Sequence, residues 1–219
     1  MKNNMFFSQT MKRMFLGMLA SLTLLFACKA MAGADAAQGG SFDTDRFRGT
    51  GGVGDLVLDA LSLKQGVTFY DDRGYVIDAP SSLSLKNNSQ SAYPGGERGL
   101  PKTIRATWRV GDFRQKQGGG GWNGGTIVGD YTIPVAGRIP DEILNYIRKN
   151  GGALRIKLRL KDDGILLGWD VQRRVPIPGV DYKHCKDPRD CVYGLAYEMA
   201  GGDFREATIV NGKVVDPGW

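Results

Sequence analysis

The residues Ala153-Leu-Arg-Ile-Lys-Leu-Arg-Leu-Lys161, then Asp162-Asp163-Gly164, then Ile165-Leu-Leu-Gly-Trp-Asp-Val171 carry the clearest pattern in the chain. Leu154, Ile156, Leu158 and Leu160 alternate with Arg155, Lys157, Arg159 and Lys161. A period of two belongs to a strand with one buried face, because successive side chains leave the pleat on opposite sides. Asp163-Gly164 reads as a type I′ hairpin turn, since both residue types tolerate positive φ. Ile165 to Val171 then returns as the partner strand. This hairpin is the expected centre of a mainly β (α+β) fold: an antiparallel sheet or sandwich with one amphipathic helix packed on it.

Working outward, Ile104, Ala106, Trp108 and Val110 alternate with Thr103, Arg105, Thr107 and Arg109, which marks a second strand. Thr126 to Ile133, Tyr193 to Met199 and Phe204 to Val210 are further strand candidates. Val67–Tyr70 and Gly74–Ile77 flank Asp71-Asp72-Arg73-Gly74 as a hairpin. Asn211-Gly212 is a second type I′ signal, leading into Val214-Val215. The one good helix begins at Pro140, with Asp141 and Glu142 near the positive end of its dipole. Ile143, Leu144 and Ile147 form its apolar stripe, Arg148-Lys149 suit its C-terminal end, and Asn150-Gly151 stops it. Asp55 to Leu63 fits either a short helix or a strand. Ala79 to Gly99, with Pro80, Pro94 and Gly95-Gly96, reads as mostly loop. Gln115 to Gly125 reads as a glycine-rich loop carrying Trp122, either an exposed contact tip or a connection with the indole folded back.

The N-terminus is a targeting segment. Lys12-Arg13 precede an apolar run from Met14 to Ala27, which is short for a membrane span. Leu25-Phe26-Ala27-Cys28 resembles a bacterial lipobox, with Cys28 as the lipidated residue. Ala30-Met31-Ala32 offers ordinary cleavage before Gly33 instead. Either route exports the chain. Lipidation at Cys28, followed by Lys29 and not Asp, implies anchoring to the outer membrane by resemblance to lipoprotein sorting. Ordinary cleavage implies a soluble periplasmic protein. The expected organisation is a signal segment at 1–32, a flexible tether at 33–54 and a single β-rich domain at 55–219.

Export changes two other readings. The chain has 29 basic and 23 acidic residues, a formal charge of +6. Lys2, Lys12, Arg13 and Lys29 lie in the signal segment, so the remainder holds 25 basic and 23 acidic residues. That near-balance gives no support to nucleic-acid binding, which needs a clustered basic surface. Cys185 and Cys191 remain outside the signal segment, and in an oxidising compartment they are expected to form a disulfide.

The motifs of common enzymes are missing from the sequence. There is no G-x-S-x-G elbow and no H-E-x-x-H, and His184 is the single histidine. Gly49-Thr50-Gly51-Gly52-Val53-Gly54 matches G-x-G-x-x-G, but no apolar strand precedes it. Asp43, Asp45, Asp71 and Asp72 do not build a calcium loop. Asp170 is an isolated acid in a strand with no assigned role. No catalytic residue, metal site or cofactor is expected. The binding clue is the row of bases: Arg155, Lys157, Arg159 and Lys161 on one face, with Arg105 and Arg109 on another strand. Together with Trp122 they are the candidate contacts for an acidic protein surface.

Three blocks carry a resemblance: Gly99-Leu-Pro-Lys-Thr-Ile-Arg-Ala-Thr-Trp-Arg109, Ile139-Pro-Asp-Glu-Ile-Leu-Asn-Tyr-Ile-Arg148, and Leu154 through Trp169-Asp170. With the lipobox-like start, they look like a group of Gram-negative lipoproteins. Some of that group neighbour type VI secretion genes and serve as immunity proteins against lipase effectors. The resemblance implies a periplasmic protein that neutralises a secreted phospholipase by occlusion. The alternative is a structural or adhesive envelope lipoprotein that binds a glycan or another envelope protein.

Overall fold

The computed structural model describes residues 45–50, 53–93, 99–182 and 192–216, and among these residues the fold is mainly β with one α-helix. The strands are β1 (Val53–Ala60), β2 (Lys64–Tyr70), β3 (Val76–Asp78), β4 (Ser82–Leu83), β5 (Ser89–Ala92), β6 (Thr103–Gln115) and β7 (Trp122–Pro134). After helix α1 (Asp141–Asn150) come β8 (Ala153–Lys161), β9 (Gly164–Val175), β10 (Gly194–Gly202), β11 (Thr208–Val210) and β12 (Lys213–Asp216). They form two sheets. The larger has the order β12-β11-β10-β9-β8-β1-β5, and the smaller has β3-β2-β6-β7 with β4 paired to β2.

The leucine row of β8 does what its period demands. Leu154, Ile156, Leu158 and Leu160 are buried in the core. The register places Leu56, Leu58 and Ala60 of β1 beside Ile156, Leu158 and Leu160. On the other flank, Val171, Leu167 and Ile165 of β9 oppose Leu154, Leu158 and Leu160. Burying each such side chain contributes about 1.5–3 kcal/mol relative to exposure. The smaller sheet adds Val67, Phe69, Ile104, Ala106 and Trp108 to the same core, and α1 adds Ile143, Leu144 and Ile147. Pro140 occupies the N-cap with extended backbone, one place before the expected first helical position, and Gly151 ends the helix at φ 74°.

The pairing of β1 with β8 is parallel. Antiparallel hairpins cannot join parallel neighbours, so a long crossover is required. Here the smaller sheet, β5 and α1 all lie within that crossover. Parallel pairing fixes direction: β1 and β8 both start beside Val53 and Leu154, and both end near Ala60 and Leu160. Asp55–Leu63, ambiguous in sequence, is therefore largely strand β1. Ala79–Gly99, read as loop, contains the short strands β4 and β5.

The central turn differs from the expected one. Lys161 pairs with Gly164, so Asp162 and Asp163 form the loop. Neither is among the residues with positive φ, so the turn is not type I′. Asn211 (φ 49°) and Gly212 (φ 74°) do adopt the I′ signature between β11 and β12. Phe204 to Ala207, read as strand, forms an irregular strap between β10 and β11. Phe47 and Thr50 are buried, so packed structure begins before residue 55. His184, Cys185, Cys191 and Cys28 lie outside the described residues.

Candidate functional site

Two surfaces hold the residues singled out in the sequence. The first is the outer face of the larger sheet. Cross-strand register puts Arg155 opposite Asp170 and Arg159 opposite Asp59. Both pairs are bidentate: Arg155 Nε donates to Asp170 Oδ1 at 2.8 Å and Nη2 to Oδ2 at 2.6 Å. Arg159 Nε donates to Asp59 Oδ1 at 2.8 Å and Nη2 to Oδ2 at 2.7 Å. Lys157 lies between them, 2.7 Å from Asp170 Oδ2 and also paired with Glu206. Glu206 comes from the strap and reaches Arg159 as well, at 3.4 Å.

Aromatic rings cap this row. The Arg155 guanidinium lies 4.0 Å from the Tyr197 ring centroid, and that of Arg159 lies 4.2 Å from Phe204. Burial pulls the Arg155 pKa down, but the hydrogen bonds and charge of Asp170 outweigh it and leave the pKa raised. Arg159 is raised too, chiefly by its hydrogen bonds to Asp59. The expectation of an open basic face therefore needs correcting at these positions. Lys157 is 3% exposed and Arg155 9%, and every base in the row has an acidic partner. Lys161, paired with Asp163 at 3.1 Å, is the most exposed of the four and still only partly so. Asp170, without a role in the sequence reading, is 2% exposed and joins Arg155 to Lys157.

The second surface is where the smaller sheet meets the β8–β9 turn. Arg105 is paired with Asp130 on the neighbouring strand, and hydrogen bonding to Arg105 holds the Asp130 carboxyl below its usual pKa. Trp122 is not an exposed tip. Its Nε1 donates to Val67 O at 3.0 Å, and its ring meets Phe113 edge-on at 5.4 Å. The β6–β7 ribbon thereby curls back over β2, as the folded-back alternative required.

Below that curl lies a groove of about 310 Å³ lined by Leu63, Lys64, Gln65, Trp108, Arg109, Val110, Val128 and Asp162. Its floor is fixed by the Trp108 indole, which stacks on Tyr131 at 5.5 Å. The ring lies so close over β7 that only glycine fits at position 129, where a Cβ would sit 1.9 Å from Trp108 Cε2. Lys64 is buried and held by Asp162 and Ser62, with its ammonium 5.6 Å from the Trp108 ring. Leu63, Val110 and Val128 stand on the rim, 63%, 48% and 52% exposed. Arg109 donates Nη1 to Gly124 O at 2.7 Å, while its buried Nε has no acceptor.

The structure thus separates the two arginines of β6 from the basic row of β8 by placing them on different sheets. Leu63 and Val128 were not singled out in the sequence. Their signal was weak: a leucine at a strand entry and a valine beside Ile127 in an edge strand. Among the described residues no group of three or more His, Cys, Asp or Glu side chains is placed to hold a metal, and no helix is long and apolar enough to cross a membrane. No protein family, curated protein or solved structure matches this chain.

Proposed function

We propose that the chain is an exported cell-envelope protein that binds and neutralises a secreted toxic effector, with a type VI phospholipase as the partner the resemblance implies. It acts by occlusion, without a reaction of its own. Cys28 carries the lipid anchor to the outer membrane, and Cys185–Cys191 forms the disulfide. The observation that supports a binding role is the groove of the smaller sheet. It keeps Leu63, Val110 and Val128 in solvent beside Arg109, whereas the charges of the larger sheet are neutralised within the fold. Exposed apolar side chains grouped around a concavity mark interaction sites, while singly scattered ones do not. Arg105, Arg109 and the β6–β7 ribbon are the contact elements in this reading.

The test is neutralisation. The full-length protein is expressed in cells that receive, in the periplasm, a lipase-like effector taken from a neighbouring gene. Protection of those cells, with a stable complex recovered between the two proteins, supports the reading. Lysis at the same rate with and without the protein ends it.

A further inference from the structure

We infer that the groove between the start of β2 and the β6–β7 ribbon seats one apolar side chain of a partner protein flanked by a carboxylate, which Arg109 receives. This deepens the binding role above and rests on it.

The apolar half of the seat is Leu63, Val110 and Val128 around the Trp108 ring. Three rim residues about half exposed or more are a poor arrangement for a free surface unless something covers them. The floor is rigid, because Trp108 is clamped between Tyr131 and the backbone at Gly129. A preorganised floor lowers the ordering cost of binding. The groove volume lies at the small end of ligand sites, which fits one side chain better than a cofactor. A whole interface would bury about 800 Å² per partner, so this groove is its anchor and not its full extent.

The polar half is Arg109. Lys64 is already committed to Asp162, but among the described residues Arg109 makes one hydrogen bond, through Nη1. Its Nε lacks an acceptor, so its desolvation is not offset while that persists. A carboxylate is the natural complement, since guanidinium takes it in a two-bond fork. The side chain is half-buried and lines the groove, so the guanidinium has to turn for its fork to meet a carboxylate there. The surrounding charge has the same sign. On the ribbon Arg105, Arg109, Arg114 and Lys116 outnumber Asp112 and Asp130, and in the groove itself Lys64 is offset by Asp162. That excess attracts an acidic partner and disfavours a basic one.

The experiment uses the full-length protein and three short labelled peptides, read by fluorescence anisotropy. One carries leucine between glutamates, one leucine between lysines, and one alanine between glutamates. The leucine–glutamate peptide is expected to bind at least about tenfold more tightly than either control. Arg109→Glu is expected to reverse the preference toward the leucine–lysine peptide. Val128→Asp, at an exposed position, is expected to abolish binding with an unchanged circular dichroism spectrum. Equal binding of all three peptides, no binding, or an unreversed preference in Arg109→Glu overturns the inference. So does binding to anionic phospholipid vesicles that the acidic peptide fails to compete. Effector neutralisation is scored separately: protection that survives Val128→Asp removes the groove from the mechanism and leaves the neutralising role standing.

Discussion

The outer face of the larger sheet and the groove of the smaller one use the same kinds of residue to opposite ends. In the first, Arg155, Lys157 and Arg159 are matched by Asp170, Asp59 and Glu206 and covered by Tyr197 and Phe204. In the second, Arg109 keeps a donor without an acceptor, and Leu63, Val110 and Val128 remain in solvent. The difference shows that charge in the sequence does not locate a binding surface. Charge that folding has already matched is structural, and its removal is felt as instability. What folding leaves unmatched is what a partner can use.

The comparison breaks most visibly at Asp170. Asp170→Ala leaves Arg155 and Lys157 buried without their shared carboxylate, and removing one member of a buried ion cluster costs about 3–5 kcal/mol. Urea unfolding should show this as a lowered midpoint at unchanged slope. A loss within experimental error would mean that the face is wet and its charges are available after all.

A smaller effect is expected under the groove. Gly129→Ala drives a methyl into the Trp108 ring, so the indole or β7 must shift. Overpacking of this kind costs about 1–3 kcal/mol. Thermal unfolding measures the cost, and the tryptophan near-UV signal should change with it. An unaltered spectrum would show that the groove floor is not clamped.

The smallest effect sharpens the acid side of the larger sheet. Hydrogen bonds from Arg173, and with them Tyr146, hold the Glu198 carboxyl below its usual range, although burial opposes them. Its folded pKa therefore lies below its unfolded one. As pH falls, the unfolded chain takes up the proton first, so the contribution is complete above the ordinary glutamate pKa of about 4.3 and is lost as pH falls through the folded value. Because the pair is partly solvated, the effect is about 0.5–1 kcal/mol. Glu198→Gln should flatten the stability profile below about pH 4.3 and leave its neutral-pH limb nearly parallel to that of the parent.

Much of the fold could be read locally. The period-two rows of β6 and β8, the stripe and ends of α1 and the Asn211-Gly212 turn each depend on residues within a few places of one another. The β8–β9 register was harder. Placing the turn at Asp163-Gly164 follows from glycine's freedom, but Gly164 is already in the strand and Asp162-Asp163 make the turn. That shift decides which base faces Asp170. Asp59–Arg159 and Lys157–Glu206 were out of reach because they join residues far apart in the chain. The groove was equally hidden, since Leu63, Trp108, Val128 and Asp162 come from four separate segments.

By itself the sequence determined a β-rich body with one helix among the described residues, because hydrophobic period, turn residues and helix ends act over short range. Tertiary structure alone decided which charges are used up and which are left over. A strand records that a side chain points away from the core, but only the neighbouring strands and the strap that crosses them determine whether it meets water or a counter-charge.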